Sequence, residues 1–303
     1  MAMLIGTADG VHVLDGDGST VLAGHRIDGL ARGDDSWWVL SDGETVWNIP
    51  DGGTPSRVAG IDDTTINCLL SRRDDVLLGA TAAQLFHIPA AAEPGADPTL
   101  DVPFEQAPGR SDWYTPWGGP PDVRSLAEDA DGSVYLNVHV GGILRYRDDD
   151  PTWRDTMDIN ADVHEVIAHP EAPNTALAAT ARGLAISRDG AANWGFHTDG
   201  LHARYCRAVA VSGDRVYVSA SRSNRGENAA VYRTDLTGSH LERCESGLPE
   251  WFSTNINTGC LQATGDLVLI GDADGTVYRS NDAGKRWVVA AEGLPSVRCI
   301  GLG

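Results

Sequence analysis

The chain has 303 residues, 43 acidic against 23 basic side chains, a formal charge of -20 and an isoelectric point near 4.6. That balance argues against nucleic acid or an anionic membrane surface as the main partner, and 42% hydrophobic with 22% charged residues excludes a disordered chain. No run approaches the roughly 18 apolar residues of a membrane span, and the opening residues Met1 to Thr7 lack the basic segment and long apolar core of a signal peptide, so a cytoplasmic protein is expected.

In chain order, short apolar strands recur with one succession of events. Segment 3–7 is a strand ending in small residues. Segment 27–31 starts a second kind, with a polar residue in second place, and this kind returns at 66–70, 123–127, 163–167, 206–210, 256–260 and 297–301. A Gly/Asp turn follows each of the inner copies, then a strand of the first kind at 76–80, 134–138, 216–220 and 267–271. The Ala-rich stretch 175–185 is the best helix by composition, yet it falls where two strands are due, 176–180 and 184–186, around a turn at Arg182 and Gly183. The polar second positions are Asp28, Asn67, Arg124, His164, Arg207, Asn257 and Arg298, separated by 39, 57, 40, 43, 50 and 41 residues. A period of about 40 residues built only from short strands is that of a β-propeller blade. The two long separations locate insertions, one at about 105–121 and one shared between 221–229 and 249–255. The chain opens on a second strand and closes on a first strand, which together complete one blade and remove the exposed edges. The expectation is an all-β, seven-bladed β-propeller, with 1–303 as one closed domain.

The acids are 32 Asp and 11 Glu, and the bases are 22 Arg with a single Lys, Lys285. Excess Asp with almost no Lys fits a salt-rich, halophilic cytoplasm, because carboxylates hold a hydrated surface. A GC-rich genome also exchanges Lys for Arg, but it does not account for the acidity. The five cysteines, Cys68, Cys206, Cys244, Cys260 and Cys299, are widely spaced and read as small buried thiols rather than a disulfide or zinc framework.

Ser280, Asp282, Gly284 and Trp287 fit the pattern Ser-x-Asp-x-Gly-x-x-Trp. Ser187, Asp189 and Trp194 fit it too, with Ala191 in the glycine place, and Asp148 with Trp153 is a weaker echo. The chemistry is that of a hairpin turn, with Asp accepting backbone N–H bonds and Gly allowing positive φ. These features make the chain resemble the Asp-box (BNR-repeat) propellers, within the WD/YVTN/BNR-like repeats, a group holding sialidases, sortilin-type receptors and photosystem-assembly propellers. The resemblance implies that the boxes are structural and peripheral, so Asp189 and Asp282 carry no catalytic role. It extends to sialidases in repeat only: seven blades are counted where those enzymes usually have six, and no Arg-Ile-Pro-like motif opens the chain.

In a propeller the first strands line the central channel, so the seven polar second positions form a ring at one mouth. Second strands end there too, bringing His139 beside Arg124, and Ser219 and Ser221 beside Arg207. The insertions bring Trp113, Tyr114, Trp117, Trp251 and Phe252 to the rim. Three arginines and two histidines in an acidic chain make a locally positive site, suited to carboxylate or phosphate, with aromatic walls for a small molecule. The ligand-binding set is Arg124, His164, Arg207, Arg298, His139, Asn67, Asn257, Trp113, Tyr114 and Trp117. The other reading is a hydrated channel in which the arginines pair with Asp28, Asp122 or Glu165 and the aromatics pin their loops. His139 and His164, with Asp162 or Glu165, are the weak metal candidates, opposed by the adjacent arginines; no cofactor is expected.

Two functions follow. One is a binding or assembly propeller that holds an anionic small molecule, or a peptide terminus of a protein partner, at the mouth. The other is a hydrolase or lyase using His139 and His164 as acid and base with the arginines stabilising a carboxylate or enolate. A scaffold acting through its rim is the third and least specified.

Overall fold

Short runs rich in Val, Leu, Ile and aromatic residues, punctuated by Gly and Asp turns, pair into seven antiparallel four-stranded sheets. The computed structural model describes residues 2–16, 18–116 and 118–303. The innermost strands, from blade 1 to blade 7, are Val297–Leu302, Ile27–Arg32, Ile66–Ser71, Val123–Glu128, Val163–Ala168, Tyr205–Ser212 and Leu261–Thr264. Each touches the innermost strand of the next blade, and that of blade 7 touches Val297–Leu302, so the ring is complete. Apolar clusters fill the gaps between blades; one joins Tyr217 of blade 6, Leu269 and Trp287 of blade 7 and Ile5 and Ile300 of blade 1. Among the described residues no helix is long and apolar enough to cross a membrane.

Closure takes the form expected. Met3–Thr7 pairs antiparallel with Val297–Leu302, Met3 opposite Leu302 and Ile5 opposite Ile300. The Ala-rich stretch is two strands, Ala176–Thr180 and Gly183–Ser187, whose buried Ala176, Ala178 and Ala185 share one cluster with Tyr135 and Ile143 of blade 4.

One local feature recurs around the channel. The register slips by one residue at Asp28, Asn67, Arg124, His164 and Arg298, and by one where Arg207 and Ala208 stand opposite Ser219. A β-bulge leaves the extra residue out of the ladder and re-aims its side chain. Six of the seven polar second positions, all but Asn257, lie at these bulges. The residue after the bulge turns toward the neighbouring blade: Ser125 Oγ accepts from Val166 N (2.8 Å), Glu165 Oε2 from Val209 N (2.8 Å), and the Cys68 thiol faces the carbonyl of Val123.

Blade 7 departs from the pattern. Segment 256–260 forms no strand; its ladder begins at Leu261. A turn in which Cys260 N donates to Asn257 O closes around Gly259, whose φ is +75°. It carries Thr258 Oγ1 to 3.1 Å from the His164 carbonyl and 3.2 Å from the Arg207 carbonyl, and Gly259 N donates to Glu165 Oε1 at 2.8 Å. The turn therefore ties the bulges of blades 5 and 6 together instead of extending its own strand.

The two Ser-x-Asp turns share one set of hydrogen bonds. Ser187 and Ser280 donate to Asp189 and Asp282 and accept from the N–H of Ala191 and Gly284, while the two carboxylates accept from Asn193 N and Arg286 N. Ala191 holds φ 65° where Gly284 holds 76°. Both turns lie at the end of their blades opposite the mouth. All five cysteines are free thiols, four of them buried.

Candidate functional site

The bulges of blades 4, 5 and 6 place Arg124, His164 and Arg207 on one side of the mouth. The strand Val134–Val138 ends beside them and delivers His139, whose backbone N–H donates to Asp122 O at 2.9 Å. The imidazole centroids of His139 and His164 are 5.8 Å apart, and the Tyr205 ring is 4.5 Å from His164. The charges of Arg124 and Arg207 both act on His139, His164 and Tyr205, so the five form one electrostatic unit.

Burial dominates its titration. It pushes His139 down to about 3, helped by Arg124, His164 and Arg207. It pushes His164 down to about 4, against the pull of Asp162 and of the Cys206 carbonyl and with the push of Arg207 and Arg124. Both imidazoles are neutral at pH 7. His164 Nδ1 lies 2.6 Å from the Cys206 carbonyl and therefore carries the proton, leaving the lone pair on Nε2. The Nε2 atoms of His139 and His164 face the same oxygen, Asp162 Oδ1, at 3.5 and 3.7 Å. Burial also raises the Tyr205 hydroxyl. Glu165, the nearest buried carboxyl, accepts two backbone N–H bonds and is pushed up to about 8 by burial, so it is largely protonated at neutral pH and cancels little of the positive field.

The other ring members divide. Arg298 is committed to Asp28, its Nη2 2.7 Å from Oδ1, and Asp28 also takes Arg26 at 2.9 Å. Arg298 thus belongs to a neutralised sector on the far side, not to the cluster. Arg124 has a looser contact, 3.3 Å to Asp122, and Arg207 Nε is buried without a hydrogen-bond partner. Asn67 carries a buried Nδ2 that likewise has none, and Asn257 is exposed on the turn of blade 7.

Two of the rim aromatics pin loops. Trp113 is buried against Phe104, with Arg110 stacked 5.4 Å from its ring. Phe252 is buried, and its N–H donates to Ala229 O, joining the two segments of the second insertion. Ser221 Oγ donates to Asn255 Oδ1 in the same seam and Ser219 Oγ donates to Ile256 O, so neither serine is offered to the channel. Tyr114 is 48% exposed and remains available at the rim, while Trp117 lies outside the described residues. Tyr205 and Asp162 complete the cluster; the sequence reading names Asp162 only as a metal candidate and does not rank Tyr205, although it sits two residues from a ring position. Among the described residues no three His, Cys, Asp or Glu side chains are arranged to hold a metal ion.

A ring of seven four-stranded blades is a seven-bladed β-propeller, and WD40 and GH74 or YCF48 propellers are among its structural neighbours at low identity. It is similar over 99% of its length to a putative 6-phosphogluconolactonase from Bacteroides fragilis (12% identity, 97% of that chain, TM-score 0.62). It is similar over 95% to the WD40 propeller domain of Doa1 (16% identity, 85% of that chain, TM-score 0.60) and over 88% to YCF48 bound to D1 peptide (11% identity, 84% of that chain, TM-score 0.58). At these identities the likeness is one of fold. No protein-family model and no curated protein matches the chain.

Proposed function

We propose that the protein is a binding or assembly propeller that receives an anionic group, a small carboxylate or phosphate or a peptide terminus of a protein partner, at the channel mouth. The observation that carries this reading is the convergence of Arg124, whose ion pair with Asp122 is 3.3 Å long, and Arg207, which makes no ion pair among the described residues, on two neutral histidines and Tyr205. Guanidinium forks suit carboxylate or phosphate, and neutral imidazoles and a phenol add donors without opposing charge. The acidic, Lys-poor surface supports a protein adapted to a salt-rich cytoplasm.

A thermal-shift and calorimetric screen of carboxylates and phosphates tests this. Arg207→Ala is expected to remove a charge-assisted contact of roughly 1.5–3 kcal/mol, about ten- to a hundredfold in affinity, while the fold persists. Binding unchanged in Arg207→Ala and Arg124→Ala overturns the reading.

The hydrolase or lyase alternative draws on the His164 lone pair at Nε2 and on the likeness to a putative lactonase. It is the weaker reading, because imidazoles near 3 and 4 are poor general bases at neutral pH. Turnover abolished by His139→Ala or His164→Ala with ligand still bound would favour it.

A further inference from the structure

The cationic surface does not stop at the channel. Arg204 immediately precedes Tyr205 and Arg222 immediately follows Ser221, and Tyr205 and Ser221 are paired residues at the mouth end of blade 6. Arg225 lies in the insertion that starts there. Arg204, Arg222 and Arg225 are exposed. The ion pairs of blade 6 use other arginines, Arg215 with Asp266, Arg233 with Glu242 and, at 3.9 Å, Arg243 with Glu245. Among the described residues Arg204, Arg207, Arg222 and Arg225 make none. The acids near this end are Asp162, which meets the two imidazoles, Glu227, which accepts from the Ser223 hydroxyl, Glu245, 3.9 Å from Arg243, and Glu250. Beyond the arginines stands Trp251, with the Arg243 guanidinium 4.0 Å over its ring and the His202 ring 4.9 Å away. In a chain of charge -20, four arginines outside any ion pair on one blade end are a surface built for an anion larger than a metabolite.

Resting on the reading of the mouth as an anion site, we infer that its occupant is the carboxyl-terminal segment of an acidic protein, lying across the mouth end of blade 6. The terminal carboxylate meets Arg124 and Arg207, and the acidic residues before it pass Arg207, Arg204, Arg222 and Arg225 toward Trp251. Four strands about 4.8 Å apart span roughly 14 Å, and an extended chain advances about 3.3 Å per residue, so about five residues are engaged. The match is one of charge: a small dicarboxylate fills the mouth and leaves the three outer arginines idle.

The experiment uses the full chain and an amino-terminally fluorescein-labelled octapeptide of alternating aspartate and serine with a free carboxylate, followed by anisotropy in 0.2 M and 2 M KCl. Three controls accompany it: the carboxamide of the same peptide, an alternating glycine and serine peptide with a free carboxylate, and a labelled octauridylate. Citrate is titrated by calorimetry. Expected are at least tenfold weaker binding of the carboxamide and of the uncharged peptide. The triple variant R204A/R222A/R225A, with an unchanged melting temperature, is expected to lose at least tenfold for the acidic peptide and to bind citrate as before, whereas Arg207→Ala loses both. If citrate binds but the acidic peptide binds no tighter than the uncharged one, or the triple variant holds it normally, the peptide assignment falls and the mouth reading stands. If octauridylate binds tighter than the peptide, the partner is nucleic acid and the assignment is equally overturned. If nothing binds, both fall.

Discussion

Removing residues 297–303 takes away the innermost strand of blade 1. That strand buries Val297, Cys299 and Ile300 to within 5% of full burial and covers Ile5 on its partner strand. Each such aliphatic side chain contributes about 1.5–3 kcal/mol when fully buried; Val297, Ile300 and the uncovered Ile5 together come to about 5–9 kcal/mol, before the edges left on blade 1 are counted. A whole domain is stable by only about 5–15 kcal/mol. The truncated chain is therefore expected to lose its cooperative transition, and Ile300→Ala to cost about 2–5 kcal/mol on its own. Gly301→Ala is a finer probe, since a Cβ there sits 2.5 Å from Cζ3 of Trp37 in the adjoining blade. Thermal melts by circular dichroism and calorimetry, with urea titration of the point variants, decide the matter. A truncated chain that melts in one transition at the intact temperature refutes the closure argument and, with it, the proposal that 1–303 folds as one unit.

Three further outcomes follow. Glu165 is raised by burial from 4.5 to about 8, so its contribution is fully present below pH 4.5 and is lost as pH rises toward 8; stability measured by urea titration should fall across that window, and Glu165→Gln should flatten the fall. His87, pulled down by burial but carried up to about 9 by its bonds to Asp101 and Asp75, adds its own loss between 6.5 and 9, which the Gln variant keeps. The melting temperature should climb from 0.1 to 2 M KCl as carboxylate repulsion is screened, and a flat or falling curve would count against salt adaptation. Gly284→Ala should destabilise by about 1–3 kcal/mol, because its Cβ meets the Tyr217 ring at 2.9 Å; a wild-type melting temperature would show that this turn tolerates alanine as the one at Ala191 does.

The ring, its closure and six of its seven first strands are legible because a 40-residue period and a two-residue alternation are properties of the chain itself. The first strand of blade 7 is misplaced by the same reading because Asn257, Thr258 and Gly259 look like another polar second position, whereas its second strand at Leu267–Gly271 is read correctly. The donors of Thr258 and Gly259 instead serve His164, Arg207 and Glu165, up to 94 residues away. The same limit applies to Arg298. Its ring position is read correctly, but which arginine meets an acid depends on side-chain reach across blades, and Asp28 takes both Arg298 and Arg26. The rim aromatics show the converse. Trp113 and Phe252 sit in the expected insertions, yet the loops fold inward on them because burying a large ring is worth more than displaying it.

The bulges explain how a positive site persists in so acidic a chain. Each bulge gives two adjacent residues different surroundings. The second position leaves the ladder and faces the channel, while the third turns into the neighbouring blade. Glu165 stands next to His164 in sequence, but as a third position it is turned away, and its two bonds go to the backbone of Val209 and Gly259. Had the register been one residue different, Glu165 would face Arg207 and neutralise it. Asp162 lies before the strand and meets the two imidazoles, while Asp122 keeps a 3.3 Å contact with Arg124. The charge of the mouth is therefore set by register rather than by composition, and substitutions at second positions should alter what binds while substitutions at third positions alter whether the ring holds.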